Sequence, residues 1–297
     1  MDKYLTNLIP DFLKPTLKKI YYLPSDTLDR LKGRDSMIPP KSMIHIGAGD
    51  FIKIGEEFKN HFINLGGLQP DDKVLDIGCG IGRMAIPLTG YLTQEGEYWG
   101  FDIVAEWIDW CQNRISPKFS NFHFLHSDVY NQHYNKNGEI LAQDFQFPFN
   151  DQSFDFVFLT SVFTHMLPLD LENYLSEIAR VLKPGGKCLI TFFILNEETE
   201  ALIRAGRSAL DFRYQLNGCL TIDEDDPEAD IAYSEAFLKE LFTNHGLKII
   251  PPIHYGSWCG REAFLTYQDI IVGEKINPDL NPYSNNLAMG CACTQFD

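Results

Sequence analysis

The chain has no uninterrupted apolar run of the roughly 20 residues that a membrane-spanning helix needs. It is also poor in positive charge, because 25 lysine and arginine residues stand against 41 aspartate and glutamate residues, for a net charge of −16. Nucleic-acid binding depends on a basic surface, so this balance argues against a nucleic-acid partner. The first residues lack the basic, then apolar, then small-residue pattern of a secretory signal.

The cysteines do not form the pattern of a disulfide framework. There are seven of them, an odd number, and most lie within apolar segments. We therefore expect reduced thiols and a cytoplasmic protein. Cys291 and Cys293 are too isolated to suggest a zinc site, and we expect both to lie in a mobile tail over residues 276–297.

The remaining composition is that of a globular protein with a sizeable core, with 44% hydrophobic and 22% charged residues in a chain of 297. The charge is unevenly distributed. Residues 1–34 hold seven basic and four acidic residues, although the chain as a whole is acidic. A weak contact of this segment with an anionic membrane surface is one interpretation. A solvated helical cap, interrupted by Pro10 and Pro15, is the simpler one.

Strands and helices alternate along most of the chain, which predicts an α/β fold with a doubly wound, mostly parallel, seven-stranded, Rossmann-like sheet. We expect a helical N-terminal extension over residues 1–65 and a main domain over 66–275, with an insertion at about 204–232. The predicted strands are 73–77, 97–101, 121–126, 153–159, 187–193, 247–253 and 264–272. The predicted helices are short ones within 1–42, then 51–65, 83–91, 105–115, 169–182, 197–207 and 234–245.

A glycine-rich turn follows the first predicted strand. The strand runs through Asp76 into Gly78, Gly80 and Gly82, and a helix follows. Glycine lets the backbone turn sharply and lets a ligand approach without interference from Cβ atoms. Open α/β sheets bind ligands at the carboxyl ends of their strands. The turn is therefore a candidate ligand site, although glycine spacing of this kind occurs in several classes of nucleotide-binding protein.

Acidic residues end the next two predicted strands. Asp102 ends the second strand, where a carboxylate can accept hydrogen bonds from both hydroxyls of a ribose. It could equally cap the following helix, and the two roles are compatible. Asp128 ends the third strand, where it could accept from an adenine amino group or simply be an acid in a loop.

Together these residues resemble the class I S-adenosylmethionine (SAM)-dependent methyltransferases, in particular a bacterial small-molecule branch. Residues 76–82 resemble the first motif of that family, and Asp102 and Asp128 stand at its acidic positions. Residues 154–161 resemble its fourth strand, and residues 182–186 resemble the turn before its fifth.

The resemblance covers roughly residues 60–195 and implies that SAM is the cofactor. It implies that Asp76 holds the amino acid end of SAM, that Gly78 and Gly80 line the cofactor, and that Asp102 holds the ribose. The remaining residues of the implied cofactor site are Cys79, Gly82, Ile103, Trp107, Asp128, Val129 and Thr160.

A nicotinamide or flavin dehydrogenase is the competing interpretation of the glycine-rich turn. That class requires G-x-G-x-x-G, whereas Arg83 occupies the position of the third glycine. Asp76 would also repel a pyrophosphate, but it suits a cofactor that carries a positive sulfonium and ammonium. The charge argument favours SAM.

Methyl transfer from a sulfonium is an in-line displacement that depends mainly on orientation, so a base is needed only when the acceptor must lose a proton. His165, after the fourth strand, is a candidate base or a histidine packed against the next helix. The loop between the last two strands could form an acceptor wall or a packed turn. Its candidate substrate-binding residues are His254, Tyr255, Trp258 and Arg261.

The sequence favours methylation of O, N or S on a small or medium-sized acceptor without a metal, because Thr160 and Ser161 stand where a metal-binding carboxylate would be expected. Residues 129–147 and 206–230 are candidate lids. Two alternatives remain open. The chain could be a non-catalytic subunit with this fold that supports a partner enzyme, or a protein methyltransferase whose acidic surface suits a basic polypeptide.

Overall fold

The structure is a computed structural model that describes residues 13–44, 49–216 and 218–277. Its contacts divide the chain into two compact units, residues 1–140 and 141–297. The fold class is the predicted one, a seven-stranded, mostly parallel sheet with helices. The predicted mobile tail lies outside the described residues from residue 278 onward, together with Cys291 and Cys293.

Three parallel strands form the sheet of the first unit. Val74, Leu75 and Ile77 of its first strand are almost completely buried, as expected of a parallel strand covered on both faces. The strands pair in the order β1-β2-β3, so their carboxyl ends lie at one edge of this sheet. The elements are α1 Lys14–Leu31, α2 Phe51–Asn64, β1 Lys73–Ile77, α3 Ala85–Leu88, β2 Glu97–Asp102, α4 Ala105–Arg114 and β3 Phe122–His126.

Two helices of the first unit differ from the prediction. Helix α1 is continuous through Pro24, where several short helices were expected. Pro15 does not interrupt it, because it lies in the first turn, where a proline costs no helical hydrogen bond. Helix α3 is much shorter than the predicted 83–91, and Gly82 adopts a positive φ before it. No helix among the described residues is long and apolar enough to cross a membrane.

The second unit holds four strands of the main sheet and a separate small sheet. Strand β5 pairs in parallel with β4 and antiparallel with β11, which pairs antiparallel with β10. The small sheet has the order β6-β9-β8-β7 and was not predicted. The elements are β4 Phe154–Leu159, α5 Pro168–Val181, β5 Leu182–Phe192, β6 Ile194–Leu195, α6 Glu197–Arg204, β7 Tyr214–Leu216, β8 Cys219–Thr221, β9 Ile231–Ser234, α7 Glu235–Asn244, β10 Leu247–His254 and β11 Asp269–Lys275.

Two strand boundaries of the second unit need correction. Strand β5 begins at Leu182 instead of residue 187. The predicted turn is therefore an irregularity within the strand. Leu182 is opposite Phe154, whereas Lys187, five residues later, is opposite Phe156. Strand β11 begins at Asp269 instead of residue 264, because the apolar residues before it are exposed. The predicted start of α7 is confirmed, since Ser234 Oγ accepts from the N–H of Phe237 at 3.2 Å.

The cysteines of the described residues match the prediction of reduced thiols. Five of them are buried and unpaired, namely Cys79, Cys111, Cys188, Cys219 and Cys259. Burial raises the pKa of the Cys79 and Cys188 thiols, which keeps both protonated and poorly nucleophilic. They therefore act as small apolar core residues.

Candidate functional site

The glycine-rich turn after β1 is held by its own backbone. The N–H groups of Gly78 and Cys79 both donate to the carbonyl oxygen of Phe101, at 2.9 and 3.0 Å. Each of the three glycines has a positive φ, of 75°, 54° and 81° along the chain. Other residue types rarely adopt this conformation. A Cβ at Gly82 would also lie 2.7 Å from Cδ1 of Ile115, so a larger residue would need this side chain to shift in addition to the unfavourable backbone conformation.

Asp102, at the end of β2, holds the same turn from the other side. It is 6% exposed, and its Oδ2 accepts from the N–H of Gly80 at 2.8 Å. Its Oδ1 accepts from the N–H of Val104 at 2.9 Å, immediately before α4, so it also fixes the start of that helix. Burial raises the pKa of Asp102 to about 6, against the effect of its backbone donors. Each oxygen retains a lone pair for a further donor.

Asp76, in β1, is a buried carboxylate that lacks part of its hydrogen bonding. It is 1% exposed, and the hydroxyl of Tyr98 donates to its Oδ2 at 2.5 Å. Its Oδ1 has no donor among the described residues. Burial raises the pKa of Asp76 to about 8. The Tyr98 bond opposes that rise, the charge of Asp102 adds to it, and the charge of Arg83 opposes it. A buried oxygen without a donor is unfavourable, and a cationic ligand would satisfy it.

The other predicted cofactor residues of the first unit differ in accessibility. Trp107 is buried and packs with Phe51 and Ile81. Cys79 and Val129 are buried too, whereas Ile103 is half-buried directly after Asp102. Asp128 is exposed, and its Oδ1 lies 3.4 Å from Nδ2 of Asn135. Part of the predicted first lid folds on itself, with bridges from residue 129 to 140 and from residue 131 to 135. Its role as a lid stays a prediction.

His165 lies half-buried in a short 3-10 turn of the second unit, residues Phe163–His165. Its Nδ1 is 2.9 Å from the carbonyl oxygen of Glu228. Because a carbonyl only accepts, Nδ1 carries the hydrogen, and Nε2 holds the lone pair of the neutral ring. Burial raises the pKa of the nearby Asp230 carboxyl, and the charge of His165 opposes that rise. This tautomer is the one that a base acting through Nε2 requires.

The end of β4 contains a feature that sequence reasoning missed. Thr160 is half-buried there, and Ser161, the next residue, has a φ of 57°. A left-handed conformation in a residue other than glycine is strained and is most common at functional sites. Two hydrogen bonds hold it: Ser161 N–H donates to Thr191 Oγ1 at 2.8 Å, and Ser161 Oγ donates to Gln268 Oε1 at 2.9 Å.

The four residues of the predicted acceptor wall have different surroundings. The guanidinium of Arg261 lies over the ring of Tyr255 at 4.9 Å, and the Tyr255 hydroxyl donates to Oε2 of Glu235 at 2.7 Å. His254 is half-buried at the end of β10. Trp258 is 0% exposed and belongs to a core cluster, so its assignment to the wall is corrected: no surface of its side chain remains for an acceptor.

Asp269, which was not a candidate from the sequence, holds this loop through hydrogen bonds. It is fully buried at the start of β11. It accepts from the N–H of Gly256 at 2.6 Å, from the N–H of Ile194 at 2.7 Å and from Nε1 of Trp258 at 2.7 Å. Nη1 of Arg261 lies 3.7 Å from its Oδ1. Burial raises the pKa of Asp269 to about 6, and its donors oppose that rise. Three N–H donors satisfy this acid, so it has a structural role.

Comparison with known proteins gives one family match. Residues 75–190 match the family model described as a methyltransferase domain. This range includes the glycine-rich turn, Asp102 and the end of β4.

Several curated proteins are similar to part of the chain. The chain is 23% identical over 197 residues to the tRNA N(3)-cytidine methyltransferase METTL2 of Gallus gallus, covering 66% of this chain and 48% of that protein. It is 25% identical over 146 residues to the 2-phytyl-1,4-naphtoquinone methyltransferase of Trichormus variabilis, covering 48% and 57%. It is 33% identical over 119 residues to the fatty-acid O-methyltransferase of Mycolicibacterium smegmatis, covering 40% and 36%. The chain thus spans about half or less of the length of these relatives.

A solved structure from Pyrococcus horikoshii OT3 shares the fold. Its TM-score is 0.53 at 19% sequence identity, and the match covers 79% of this chain and 95% of that one. At this level of identity the likeness concerns the fold alone.

Proposed function

We propose that the chain is a class I SAM-dependent methyltransferase that binds SAM and transfers its methyl group, and the match of residues 75–190 to the methyltransferase-domain family supports this. The observation that carries the proposal is Asp76, a buried carboxylate beside the glycine-rich turn whose Oδ1 has no donor among the described residues. Such an oxygen lacks a hydrogen-bond donor, and a cationic donor would also favour the ionised form of this carboxyl, whose pKa burial raises to about 8. The family match sets aside the dehydrogenase interpretation.

The residues of the first unit fit the cofactor. When bound, SAM supplies a methyl group that its sulfonium has already activated. Asp76 would hold the positively charged amino acid end through Oδ1, and the turn from Gly78 to Gly82, without Cβ atoms at its glycines, would admit the ligand to the backbone. Asp102 keeps lone pairs for the ribose hydroxyls while it holds the turn. Ile103, Asp128 and Thr160 stay proposed contacts of the cofactor.

We further propose that His165 accepts the proton when the acceptor must lose one. The carbonyl of Glu228 fixes Nδ1 as the protonated nitrogen, so Nε2 is the nitrogen that would accept the proton. His254, Tyr255 and Arg261 remain proposed acceptor contacts, without Trp258. The proposed transfer needs no metal, since it depends on alignment and the exclusion of water.

The proposed acceptor is small or medium-sized and is methylated at O, N or S. Two relatives are named for small molecules, a naphthoquinone and a fatty acid. Another is named for tRNA. The net charge of −16 weighs against an RNA acceptor, because binding along a polyanionic chain requires an extended basic surface. The two small-molecule names and the charge together support the proposal.

A cytoplasmic location is also part of the proposal. The described residues contain five buried thiols without disulfide partners. A reducing compartment maintains cysteines in this state. Cell fractionation of the tagged chain would test it, and recovery from an oxidising compartment would contradict it.

The experiment that tests the function is incubation of the chain with methyl-labelled SAM and cell extract, followed by separation of the labelled products by size and by sensitivity to nuclease and protease. We expect label in the small-molecule fraction, unchanged by a metal chelator. Label on RNA or protein would contradict the small-molecule acceptor, but it would still support methyl transfer by this chain. With SAM binding confirmed, the absence of label from every fraction of an extract that contains the acceptor would indicate the non-catalytic subunit. Loss of transfer on chelation would overturn the metal-free mechanism.

A further inference from the structure

Helix α1 turns its polar side toward the protein and an apolar side toward solvent. The carboxylate of Asp26, 7% exposed, accepts from Nη1 of Arg34 and from the N–H of Lys41, both at 3.0 Å. A helix on the surface of a globular protein has the opposite arrangement. The exposed apolar side chains on that side, 37–81% exposed, are Leu17, Ile20, Tyr21, Leu28 and Leu31.

These five side chains form one continuous stripe, which we call the apolar stripe. At about 100° of rotation per residue, the five positions fall within an arc of about 100° on the helix surface. Pro24 is exposed within the same arc. Leu23 is 62% exposed but lies on another side of the helix, about 60° beyond the edge of this arc.

Two basic residues border the apolar stripe on one side. Residues 13–34 contain six basic and two acidic residues, in a chain of net charge −16. Lys32 and Lys18 lie about 20° and 60° beyond one edge of the stripe, whereas Arg30 and Lys19 lie about 80° and 100° beyond the other edge, toward the side of the buried Asp26. Lys19 pairs with exposed Glu106 at 3.3 Å, so its charge is partly balanced. Long basic side chains in these positions can extend toward charges above the stripe.

A cleft at the C-terminal end of α1 adds to this positive charge. It has a volume of roughly 280 Å³, and Arg30, Arg34 and Arg114 line it. Arg34 is engaged by Asp26, and Arg114 lies over the ring of Trp110 at 5.2 Å. The remaining lining residues are Asp35, which pairs with Lys118, and Ser36, Ile38 and Pro40. Arginine is well suited to phosphate groups.

We propose that α1 docks the protein on the surface of an anionic lipid bilayer. The apolar stripe would lie at the boundary between head groups and acyl chains, and the bordering basic residues and the arginine-lined cleft would contact the head-group phosphates. Charge complementarity favours this occupant. A second copy of the chain, paired about a two-fold axis through the stripe, would bring like charges together. The inference does not rest on SAM binding.

The test is flotation of the full chain with vesicles of neutral phosphatidylcholine, with or without phosphatidylglycerol. We expect binding to the anionic vesicles that weakens as salt is added. Ile20→Glu and Leu28→Glu should each weaken it at least about tenfold, since each removes apolar surface from the bilayer and adds a negative charge. Leu23→Glu is the matched control on the same helix, and it should change binding much less. Lys18→Gln with Lys32→Gln, at the basic residues next to the stripe, should weaken binding to anionic vesicles about fivefold per residue.

Three outcomes would overturn the proposal. These are no binding to anionic vesicles, equal loss in Leu23→Glu and Ile20→Glu, or a dimer without vesicles that Ile20→Glu converts to a monomer. The last result would assign the stripe to a second copy. Urea unfolding midpoints of all variants, together with SAM affinity, separate a loss of docking from a loss of folding or of cofactor binding.

Discussion

Asp76 in the first unit and Asp269 in the second are both buried carboxylates in strands of the main sheet, but they differ in their hydrogen bonds. Asp269 accepts from three N–H groups and has Arg261 nearby. Asp76 accepts from the Tyr98 hydroxyl at one oxygen and from no described residue at the other. Burial raises both pKa values, to about 6 for Asp269 and to about 8 for Asp76.

The difference separates an acid that builds the fold from one that is available to a ligand. Buried polar groups are almost always hydrogen-bonded, so an exception requires an explanation. A raised carboxyl pKa does not distinguish the two acids, because burial raises it in both. The number of donors does distinguish them. Asp102 is intermediate, since backbone N–H groups donate to both of its oxygens and its remaining lone pairs can accept from a ligand.

Asp269→Ala should have the largest effect, and it should be on stability. The substitution leaves three buried donors without an acceptor, at a cost of about 3–5 kcal/mol in the free energy of unfolding. Urea denaturation would measure this, and the SAM affinity of the folded fraction should be unchanged. Unaltered stability would contradict the structural role of Asp269.

Asp102→Ala should act mainly on the ligand. We expect SAM affinity to fall by more than about 100-fold, because two hydrogen bonds from the ribose to a carboxylate are lost. Calorimetry would measure the affinity, and far-UV circular dichroism would show that the fold is retained. Asp102→Asn, which keeps one acceptor oxygen, is the matched control and should lose less. Equal affinities for Asp102→Ala and the wild type would contradict the ribose assignment.

His165→Ala tests whether His165, unlike the structural acid Asp269, takes part in the reaction. If His165 is the base, the methyl transfer rate should fall about 100-fold or more while SAM affinity stays the same. Single-turnover measurements with labelled SAM separate the two quantities. A normal rate would return His165 to a packing role.

Asp76→Asn should have the smallest effect on stability. We expect it to increase the free energy of unfolding. A carboxyl with a raised pKa in the folded state loses its stabilising contribution as pH rises from about 4 to about 8. The asparagine variant has no such titration, so it should gain on the order of 1–3 kcal/mol relative to wild type between pH 5 and pH 9. Thermal unfolding at several pH values would measure the difference, and a gap independent of pH would contradict the raised pKa.

The same variant tests the role of Asp76 in binding. SAM affinity of the wild type should increase as pH rises toward 8, because the ionised carboxylate attracts the cationic end of the cofactor. Asp76→Asn should bind about tenfold more weakly and without this pH dependence. Tyr98, Asp102 and Arg83 also influence this carboxyl, so Tyr98→Phe, which removes its one donor, is the control. Unchanged affinity in Asp76→Asn would count against the proposed function.

The main sheet was readable from the sequence because buried parallel strands form continuous apolar runs between turn residues. Strand β1 has the predicted bounds, and β2 and β4 differ from theirs by one residue. The glycine-rich turn and Asp102, at the end of β2, were also predictable from the sequence, because ligands of such a sheet bind at the carboxyl ends of its strands.

The small sheet and the role of Asp269 were not readable in this way. Strands of two to four residues, such as β6 and β9, are too short to show a period. Asp269 directly precedes an apolar run, and that position was its only signal. Trp258 belongs to a polar and aromatic stretch that looks accessible, but its indole packs against Phe193 and Phe212 in the core, and Asp269 accepts its N–H. In both cases the burial and the role of the side chain depend on hydrogen-bond partners that are distant in sequence.

The glycine-rich turn has a kinetic consequence. Its backbone is already fixed by the bonds of Gly78 and Cys79 to Phe101 and of Gly80 to Asp102. A turn with its final shape has little conformational entropy left to lose on binding, so association should approach the rate of productive collisions. Differences in affinity among variants of this turn should then appear mostly as differences in residence time.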